Sequence, residues 1–406
     1  MTDTQVVIVG GGAAGIAAAR FLHNAQAPYR LLEARPRLGG RGWTIEAGGF
    51  PIDLGCGWLH SADRNPWSEI ADATKLTLDK TPPPWTRSPV QDGVPLRTQQ
   101  TFRQALDAFY ERLASIESES EDRPASDYLL PSNPWNRLIS AVGTFVAGAE
   151  LNEVSALDLH RYSDTEINWR VAEGYGSLIS GAGANLNVTL DCVVTRIDCR
   201  GARIRIETAI GAIDCDQVIV TLPTSCLTSD TIEFLPDLPD KTTAAARLPL
   251  GLNDKLFLSL AQAEEFEPDS RIFGDVDAVA TAAYHMRPFG RPQIEAYFGG
   301  SLARDLEHQG EDAFFQFAKE QLVQQFGHDF ARRIRPLAIH RWGADIYSGG
   351  AYSYATPGHA GERATLAAPV DKRIYFAGEA CSEDQFSTAH GAYLTGLHAA
   401  QTIAGS

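Results

Sequence analysis

Three glycines near the start of the chain have the spacing of a phosphate-binding turn. Gly10, Gly12 and Gly15 stand in the stretch GGGAAG, with Ala13 and Ala14 between the last two. In a G-x-G-x-x-G pattern, the first glycine permits a tight turn and the second lets backbone approach a pyrophosphate. The third lets a helix pack closely on a strand, and the free N–H groups at the start of that helix attract the anion. We therefore predict a dinucleotide at this turn.

A carboxylate and a second glycine pair follow. Glu33 ends the apolar stretch YRLLEA, where a carboxylate can hold a ribose diol. Directly after it, Arg37 and Arg41 flank the pair Gly39–Gly40, and arginines in that position can reach a pyrophosphate. A nicotinamide enzyme has no evident use for this second turn, so it favours FAD, although a basic surface loop remains an alternative.

The C-terminal stretch offers a third contact. RIYFAGEA brings Gly378 and Glu379 to the carboxyl end of a strand, where open α/β sheets bind ligands. The last helix is expected to begin near Thr388–Ala389. Its N-terminus can face the pyrimidine end of a flavin, where positive potential favours the charge of the reduced ring, or it can be an ordinary closing helix.

The predicted order of strands and helices around these residues indicates an α/β fold. VVIV is a continuous apolar run typical of a strand buried on both faces, and an Ala-rich helix to about Leu22 and the strand YRLLEA complete a β-α-β unit. Further strands are predicted at NVTLDCVVTRID, ARIRIETA, DQVIVTLP, LNDKLFLSL and RIYFAGEA. Further helices are predicted at TFRQALDAFYERLASI (Thr101 to Ile116), EDAFFQFAKEQLVQQF and TAHGAYLTGLHAAQTIA.

This order predicts two domains, with the first built from separated segments. We assign residues 1–80, 184–245 and 340–406 to a cofactor domain, and residues 81–183 and 246–339 to an α+β substrate domain. The Pro-rich stretch Lys80 to Leu96 is not expected to form regular secondary structure. ESESEDRPASD, after the first predicted helix of the second domain, is expected to be an acidic surface loop.

Composition excludes several classes of function. The 406 residues carry a formal net charge of −16, which makes nucleic acid a poor partner, and ARRIRPLAIHR is more typical of a solvated face. No apolar run is long enough for a membrane span, and the N-terminus has no secretory signal pattern. The six cysteines form no C-x-x-C pair or metal-spaced cluster, so we expect reduced thiols, a cytoplasmic location and no metal site.

Taken together, the motifs resemble the flavin-containing amine oxidase family. They are VVIVGGGAAG, LEARPRLGGR, DLGCGWLHSADRNP, VIVTLP, WGADIYSGGAYSYATPG and IYFAGEACS…TAHGAYLTG. Their order is the family's order, and GWLH followed by NP is most similar to the polyamine oxidases. The resemblance implies a Rossmann-like FAD-binding domain with an inserted substrate domain of mixed sheet and helices.

The resemblance also implies which residues contact FAD. Val194 matches the valine whose backbone meets the adenine, and Ala389 matches the position whose N–H meets the flavin pyrimidine. Ala351 replaces the cysteine to which monoamine oxidases link their flavin, so we expect non-covalent FAD. The residues expected around the cofactor are Gly10, Gly12, Ala13, Ala14, Gly15, Glu33, Ala34, Arg35, Gly40, Arg41, Gly57, Trp58, Val194, Trp342, Gly378, Glu379 and Ala389.

Five residues are candidates for the catalytic region. From pattern alone, a lysine at a strand start such as Lys255 is usually a solvated edge residue, but the resemblance implies that it holds a water beside flavin N5. Trp342 matches a tryptophan beside the ring, and Tyr352 matches one wall of an aromatic cage. Thr388 stands where monoamine oxidases carry the second cage aromatic, which leaves room for bulkier amines. His60 is either a proton acceptor near the substrate or a satisfied polar residue.

The function implied is FAD-dependent amine oxidation. A neutral amine gives hydride from its α-carbon to flavin N5, the imine hydrolyses to a carbonyl, and dioxygen becomes hydrogen peroxide. The alternatives are a C–C desaturase of the carotenoid or porphyrinogen type and a non-catalytic FAD-binding scaffold. The sequence leaves open which amine and carbon react, whether the amine is primary or secondary and which acceptor is used. It also leaves open whether the protein is a monomer or a homodimer.

Overall fold

The structure is a computed structural model of the chain and describes residues 4–86, 96–117 and 121–405. The middle of the predicted Pro-rich stretch and part of the predicted acidic loop lie outside these ranges. Residues 80–86 contain neither helix nor strand, as predicted. Leu96, which was predicted to be irregular, is instead the first residue of a helix.

A parallel sheet of five strands is built around the first strand of the chain, in the order β18-β11-β1-β2-β7. Val6, Val7, Ile8 and Val9 are all buried, as expected for a strand covered on both faces. The first and last helices pack against each other beside this sheet, so closely that a Cβ at Gly396 would lie 2.0 Å from the Ala14 carbonyl oxygen.

An antiparallel sheet of five strands has the order β14-β15-β16-β13-β17. One face is apolar, with Leu256, Leu258, Ile294 and Phe298 packed on two helices. The opposite face carries Lys255 on β13, an interior strand. The interpretation of Lys255 as a solvated edge residue is therefore wrong, since only 6% of the residue is exposed.

The strands within the described residues have the following bounds: β1 Val6–Val9, β2 Tyr29–Leu32, β3 Thr44–Ala47, β4 Phe50–Asp53, β5 Leu78–Asp79, β6 Arg170–Val171, β7 Val188–Thr189, β8 Val194–Asp198, β9 Ile204–Thr208, β10 Gly211–Cys215, β11 Gln217–Val220, β12 Glu233–Leu235, β13 Asn253–Leu260, β14 Ser270–Phe273, β15 Ala283–Met286, β16 Gln293–Gly299, β17 Ile334–Ile339 and β18 Ile374–Phe376. Strands β8, β9, β10 and β12 form a third sheet, and the pairs β3–β4 and β5–β6 are antiparallel ribbons.

The helices have the following bounds: α1 Ala13–Asn24, α2 Pro66–Ala73, α3 Leu96–Ala114, α4 Asn136–Ala147, α5 Ala156–Arg161, α6 Tyr175–Gly181, α7 Thr224–Leu227, α8 Pro239–Arg247, α9 Gly300–Gln309, α10 Glu311–Phe326, α11 Glu362–Ala367 and α12 Ala389–Ala404. The helix predicted over Thr101 to Ile116 thus begins earlier and ends two residues sooner. Within the described ranges, no helix has both the length and the apolar character that a membrane crossing requires.

The strands of the parallel sheet come from three separate parts of the chain, near its start, middle and end. The antiparallel sheet comes from residues 253–339. The exact domain boundaries stay a prediction. The described part of the chain holds no cluster of His, Cys, Asp or Glu arranged to bind a metal ion.

Candidate active site

One cavity of about 1230 Å³ extends from the glycine turn after β1 to the polar face of the antiparallel sheet. The residues that the sequence singled out for cofactor or catalysis line it, with the exceptions of Gly15 and Arg37. The two ends of this cavity differ in chemistry, because backbone turns and arginines surround one end and aromatic side chains surround the other.

Gly15, in the first turn of α1, packs against the backbone of the glycine turn. A Cβ at Gly15 would lie 1.9 Å from the Gly10 carbonyl oxygen, so only glycine lets α1 pack against the turn. Gly12 is the N-cap residue, and no side chain caps the helix. The helix start, with Ala13 and Ala14, therefore presents uncapped backbone to the cavity, which is the arrangement that binds phosphate.

Glu33 is fixed by two backbone donors. The Gly11 N–H donates to its Oε2 at 2.6 Å and the Arg35 N–H donates to its Oε1 at 2.8 Å. Burial raises the pKa of Glu33, and these two N–H groups act in the opposite direction. The carboxylate and Ala34 both line the cavity at the end of β2, which suits the recognition of a ribose.

The arginines beyond β2 have different roles. Arg35 forms a bidentate ion pair with Asp345, at 2.8 and 3.0 Å. Arg41 donates to Glu379 at 3.0 Å and to the Ala351 carbonyl oxygen at 2.5 Å, and it lines the cavity beside Gly40. Arg37 was expected to reach the pyrophosphate, but this is wrong. It does not line the cavity and instead donates to backbone carbonyls of its own turn.

Glu379 joins three segments around the middle of the cavity. Its carboxylate accepts hydrogen bonds from Arg41, from the N–H and hydroxyl of Ser353, and from the Ser387 N–H. Burial opposes ionisation, but the charge of Arg41 and the Ser353 hydrogen bonds outweigh it, and the pKa of Glu379 is lowered. A Cβ at the neighbouring Gly378 would have no atom within 4 Å, so its backbone faces open space.

Thr388 is the N-cap of α12. Its hydroxyl accepts the Gly391 N–H at 2.9 Å and donates to the Gln385 carbonyl oxygen at 2.6 Å. The helix begins at Ala389, as the sequence predicted, and both residues line the cavity. The hydroxyl of Thr388 is thus engaged in helix capping, and the structure gives it a positioning role.

Trp342 is held from two sides. Its backbone N–H donates to Asp254 Oδ1 and its indole N–H donates to the Leu54 carbonyl oxygen, both at 3.0 Å. Only 2% of the residue is exposed. An indole fixed in this way forms a rigid, flat wall of the cavity.

Lys255 lies at the aromatic end of the cavity and forms an ion pair there. Its Nζ lies 2.9 Å from Glu295 Oε1 and donates to the Asp53 carbonyl oxygen at 3.3 Å. Burial alone would lower the pKa of Lys255, but Glu295, with Tyr297 and Asp53, outweighs it and raises the pKa. A Cβ at Gly57 would lie 3.2 Å from Nζ, so a larger residue at position 57 would crowd the ammonium.

A chain of ionisable groups leads away from Lys255. His285 Nδ1 lies 3.7 Å from Glu295 Oε2, and its Nε2 lies 2.9 Å from Asp269 Oδ1. Asp269 in turn pairs with Arg170 at 2.7 Å. Burial opposes the ionisation of Glu295, but Lys255 and His285 lower its pKa to about 2. Lys255 and Glu295 therefore form a charged pair at neutral pH.

Two aromatic residues complete the wall near this pair. The Tyr352 hydroxyl donates to the Phe145 carbonyl oxygen at 2.5 Å and accepts from Asn253. Burial raises the pKa of Tyr352 well above 10. The Trp58 ring stacks on His285 with centroids 6.3 Å apart.

His60 and Val194 line the cavity at separate places. His60 Nδ1 is hydrogen-bonded to Asn168 Oδ1 at 2.6 Å, so one ring nitrogen is already satisfied. Val194 begins β8 and is largely buried.

These contacts fit FAD. An uncapped helix start, an oriented carboxylate and open backbone at Gly378 surround one elongated cavity, and they offer donors and acceptors suited to a dinucleotide. The model of the flavin-containing amine oxidoreductases matches residues 13–404.

The chain belongs to the flavin-containing amine oxidoreductase family. It is 30% identical to polyamine oxidase 2 of Arabidopsis thaliana, over 98% of this chain and 87% of that protein. It is 24% identical to human lysine-specific histone demethylase 2, over 99% of this chain and 53% of that protein. The structure of wild-type putrescine oxidase bound to putrescine has the same fold, with a TM-score of 0.77, 18% identity and full coverage of both chains. The protein is thus an FAD-dependent amine oxidase.

Sequence reasoning missed the partners of Lys255 in this amine oxidase. Glu295 lies in QIEAYFG, where Ile294, Ala296 and Phe298 alternate with Glu295 and Tyr297. This alternation indicates a strand with one polar face, and it could have identified Glu295 as a residue facing the cavity. The hairpin β14–β15, which carries Arg271 and His285, had also not been predicted.

Proposed function

We propose that the amine binds with its reacting carbon between Lys255, Trp342 and Tyr352, and that FAD occupies the remainder of the cavity as far as the glycine turn. One observation carries this proposal: the turn at Gly10–Gly12 and the ammonium of Lys255 border the same cavity. When bound, FAD accepts a hydride from the carbon next to the amine nitrogen and passes the electrons to dioxygen.

The residues around the reacting carbon orient the amine and exclude water. Trp342 and Tyr352 are each held by two hydrogen bonds, so these walls do not reorganise when the amine binds. Lys255 stays protonated and holds a water through its remaining N–H. The overall reaction is R–CH₂–NH–R′ + O₂ + H₂O → R–CHO + R′–NH₂ + H₂O₂, in which two electrons pass from the C–N unit to dioxygen.

Neither Glu295 nor Tyr352, the described acidic groups beside the proposed position of the reacting carbon, is suited to serve as the base. Glu295 is paired with Lys255, and Tyr352 has a raised pKa. The amine therefore binds in its neutral form, and activity rises with pH as the substrate deprotonates. A pH profile governed by an enzyme group with a pKa unlike that of the substrate would contradict this.

We propose a substrate larger than a simple monoamine. Thr388 supplies no aromatic second wall, and the cavity continues past Trp58 towards Trp85, Phe102 and Trp135. The relatives named above as polyamine and putrescine oxidases support an aliphatic chain as the substrate.

We also propose that FAD is bound non-covalently and that the protein works in a reducing, cytoplasmic compartment. Ala351 offers no thiol for a covalent link, and all six cysteines are free. Precipitation with acid should release all FAD into the supernatant. Flavin that remains in the pellet would contradict the first proposal.

The experiment that tests the function is a balance of products. Purified holoenzyme is incubated with a panel of primary and N-methyl alkylamines, and oxygen consumed, hydrogen peroxide and aldehyde are measured together. We expect equal amounts of the three for at least one amine. FAD-containing protein that consumes no oxygen with any amine in the panel would support the non-catalytic scaffold instead.

A further inference from the structure

Arg271 lies on the face of the antiparallel sheet that also carries Lys255. It stands opposite His285 on β15, which stands opposite Glu295 on β16. Because side chains alternate along each strand, these residues share the face that borders the cavity, and all of them line it. Arg271 thus belongs to the wall of the substrate end.

Arg271 differs from the other lysines and arginines that line the cavity in the described part of the chain. Each of the others has a carboxylate partner. The pairs are Arg35–Asp345 at 2.8 Å, Arg41–Glu379 at 3.0 Å, Arg103–Asp107 at 3.3 Å and Lys255–Glu295 at 2.9 Å. Among the described residues, the Arg271 guanidinium has neither an ion pair nor a hydrogen bond of its own.

The surroundings of Arg271 are aromatic. Its guanidinium carbon lies 4.6 Å from the centroid of the Phe273 ring, and the phenols of Tyr110 and Tyr297 interact with its charge. Burial lowers the pKa of Arg271 to about 10, so the group remains charged at neutral pH. Arg271 is half-buried, and a cation partly withdrawn from water without a carboxylate partner is costly, so an anionic ligand would relieve that cost.

The distance to the reacting carbon sets the length of such a ligand. Strand β14 is three strand spacings away from β13, which is roughly 14 Å between backbones. The register adds an offset of two residues, because Arg271 is in line with Phe257 and not with Lys255. Both long side chains line the cavity and shorten this separation, so the two ends of a bound substrate would be roughly 10 Å apart.

We propose that Arg271 is an anion-binding subsite, and that the preferred substrate is an extended amine whose far end carries a carboxylate. This inference rests on the proposed function, because it takes the reacting end to lie at Lys255. The carboxylate forms a bidentate pair with the guanidinium, and the methylene chain packs along the aromatic walls.

A polycationic substrate fits the described residues less well. Among the carboxylates at the substrate end, Asp107 and Glu295 have basic partners, and Asp158 is bound by Arg363 at 2.7 Å. Asp164 and Glu166 also line the cavity, but both are exposed to solvent, where pairing with an ammonium contributes little. A second ammonium near Arg271 would be repelled.

Three probes of equal length test this directly in the holoenzyme. Octylamine, 1,8-diaminooctane and 8-aminooctanoate differ only in the charge of the far end, and each is also used as its N-methyl derivative. The rate and apparent Kd of anaerobic flavin reduction are measured for the wild type, Arg271→Gln, Arg271→Lys and the control Arg335→Gln. Arg335 lies on β17 of the same sheet and is exposed.

We expect 8-aminooctanoate to bind best to the wild type. Arg271→Gln should raise its Kd about 10- to 100-fold, as the loss of a charged hydrogen bond implies, and should leave octylamine within about 2-fold. Arg271→Lys should retain part of the preference and Arg335→Gln all of it. Equal or better binding of the diamine by the wild type, with no change in Arg271→Gln, would overturn the proposal.

A binding measurement separates this inference from the proposed function. Octanoate carries no amine to be oxidised, so its binding to the holoenzyme by calorimetry does not depend on the proposed reaction, and comparison with Arg271→Gln isolates the contribution of Arg271. Binding that weakens about 10-fold or more in Arg271→Gln supports the subsite even if no probe reduces the flavin. If octylamine reduces the flavin while octanoate binds both proteins equally, the subsite proposal fails and the proposed function stands.

Discussion

The ammonium of Lys255 and the carboxylate of Glu295 are paired at 2.9 Å on neighbouring strands of the antiparallel sheet. The two residues are diagonal neighbours, because Lys255 stands directly opposite Tyr297 and Glu295 lies two positions before it. The pair favours the protonated ammonium, whereas burial alone would lower the pKa of Lys255. It therefore sets the protonation state of the proposed catalytic lysine.

Glu295→Gln should make flavin reoxidation depend on pH. Without the carboxylate, burial lowers the pKa of Lys255 with less opposition, so the ammonium loses its proton at a lower pH than in the wild type. We expect the rate of reoxidation by dioxygen to fall with rising pH in the variant, at a lower pH than in the wild type. In the wild type, the raised pKa of Lys255 should keep the rate level to a higher pH.

Stopped-flow mixing of reduced enzyme with dioxygen measures this rate. Glu320→Gln, at an exposed position of α10, is the matched control and should behave as the wild type. Level profiles for both variants would show that the Lys255 charge does not depend on Glu295.

Gly15→Ala should weaken both folding and FAD binding. The added Cβ would lie 1.9 Å from the Gly10 carbonyl oxygen, so the turn must move, at a cost of about 1–3 kcal/mol in the free energy of unfolding. FAD content after purification and thermal unfolding provide the measurement. Gly181→Ala is the control, because a Cβ there meets no atom within 4 Å, and normal FAD content in Gly15→Ala would count against the turn as the phosphate site.

Thr388→Ala should lower stability through the loss of a helix cap. The hydroxyl accepts the Gly391 N–H, and removing such a cap costs about 1 kcal/mol. Thr388→Ser keeps the hydroxyl and should retain both the melting temperature and the rate of flavin reduction. A strong loss of the reduction rate in Thr388→Ser, with unchanged stability, would instead point to direct substrate contact by the threonine methyl group.

Features that depend on neighbouring residues in the sequence could be predicted, whereas contacts between distant segments of the chain could not. The β1–α1–β2 unit was predictable because glycine spacing and an apolar run act within one short stretch. The pair Lys255–Glu295 was missed because it depends on the register between β13 and β16, which separate segments of the chain determine.

Arg37 illustrates the opposite error. Its place beside Gly39–Gly40 suggested a pyrophosphate contact, but its guanidinium lies 4.4 Å from the centroid of the Trp43 ring and donates to turn carbonyls. Whether an arginine faces a ligand or its own loop depends on such tertiary contacts. Arg41, four residues later, does border the cavity because Glu379 holds it there.

We propose that FAD lies in the cavity with its reactive nitrogen near Lys255, where an amine reduces it. The most direct test follows flavin absorbance at about 450 nm after anaerobic addition of amine and then of dioxygen. The proteins compared are the wild type, Lys255→Met and the α10 control Lys319→Met. We expect amine to bleach the flavin in all three proteins. Reoxidation should be slowed at least about 10-fold in Lys255→Met only, which corresponds to the loss of one charged interaction. A flavin that no amine bleaches, or equal reoxidation in all three proteins, would contradict it.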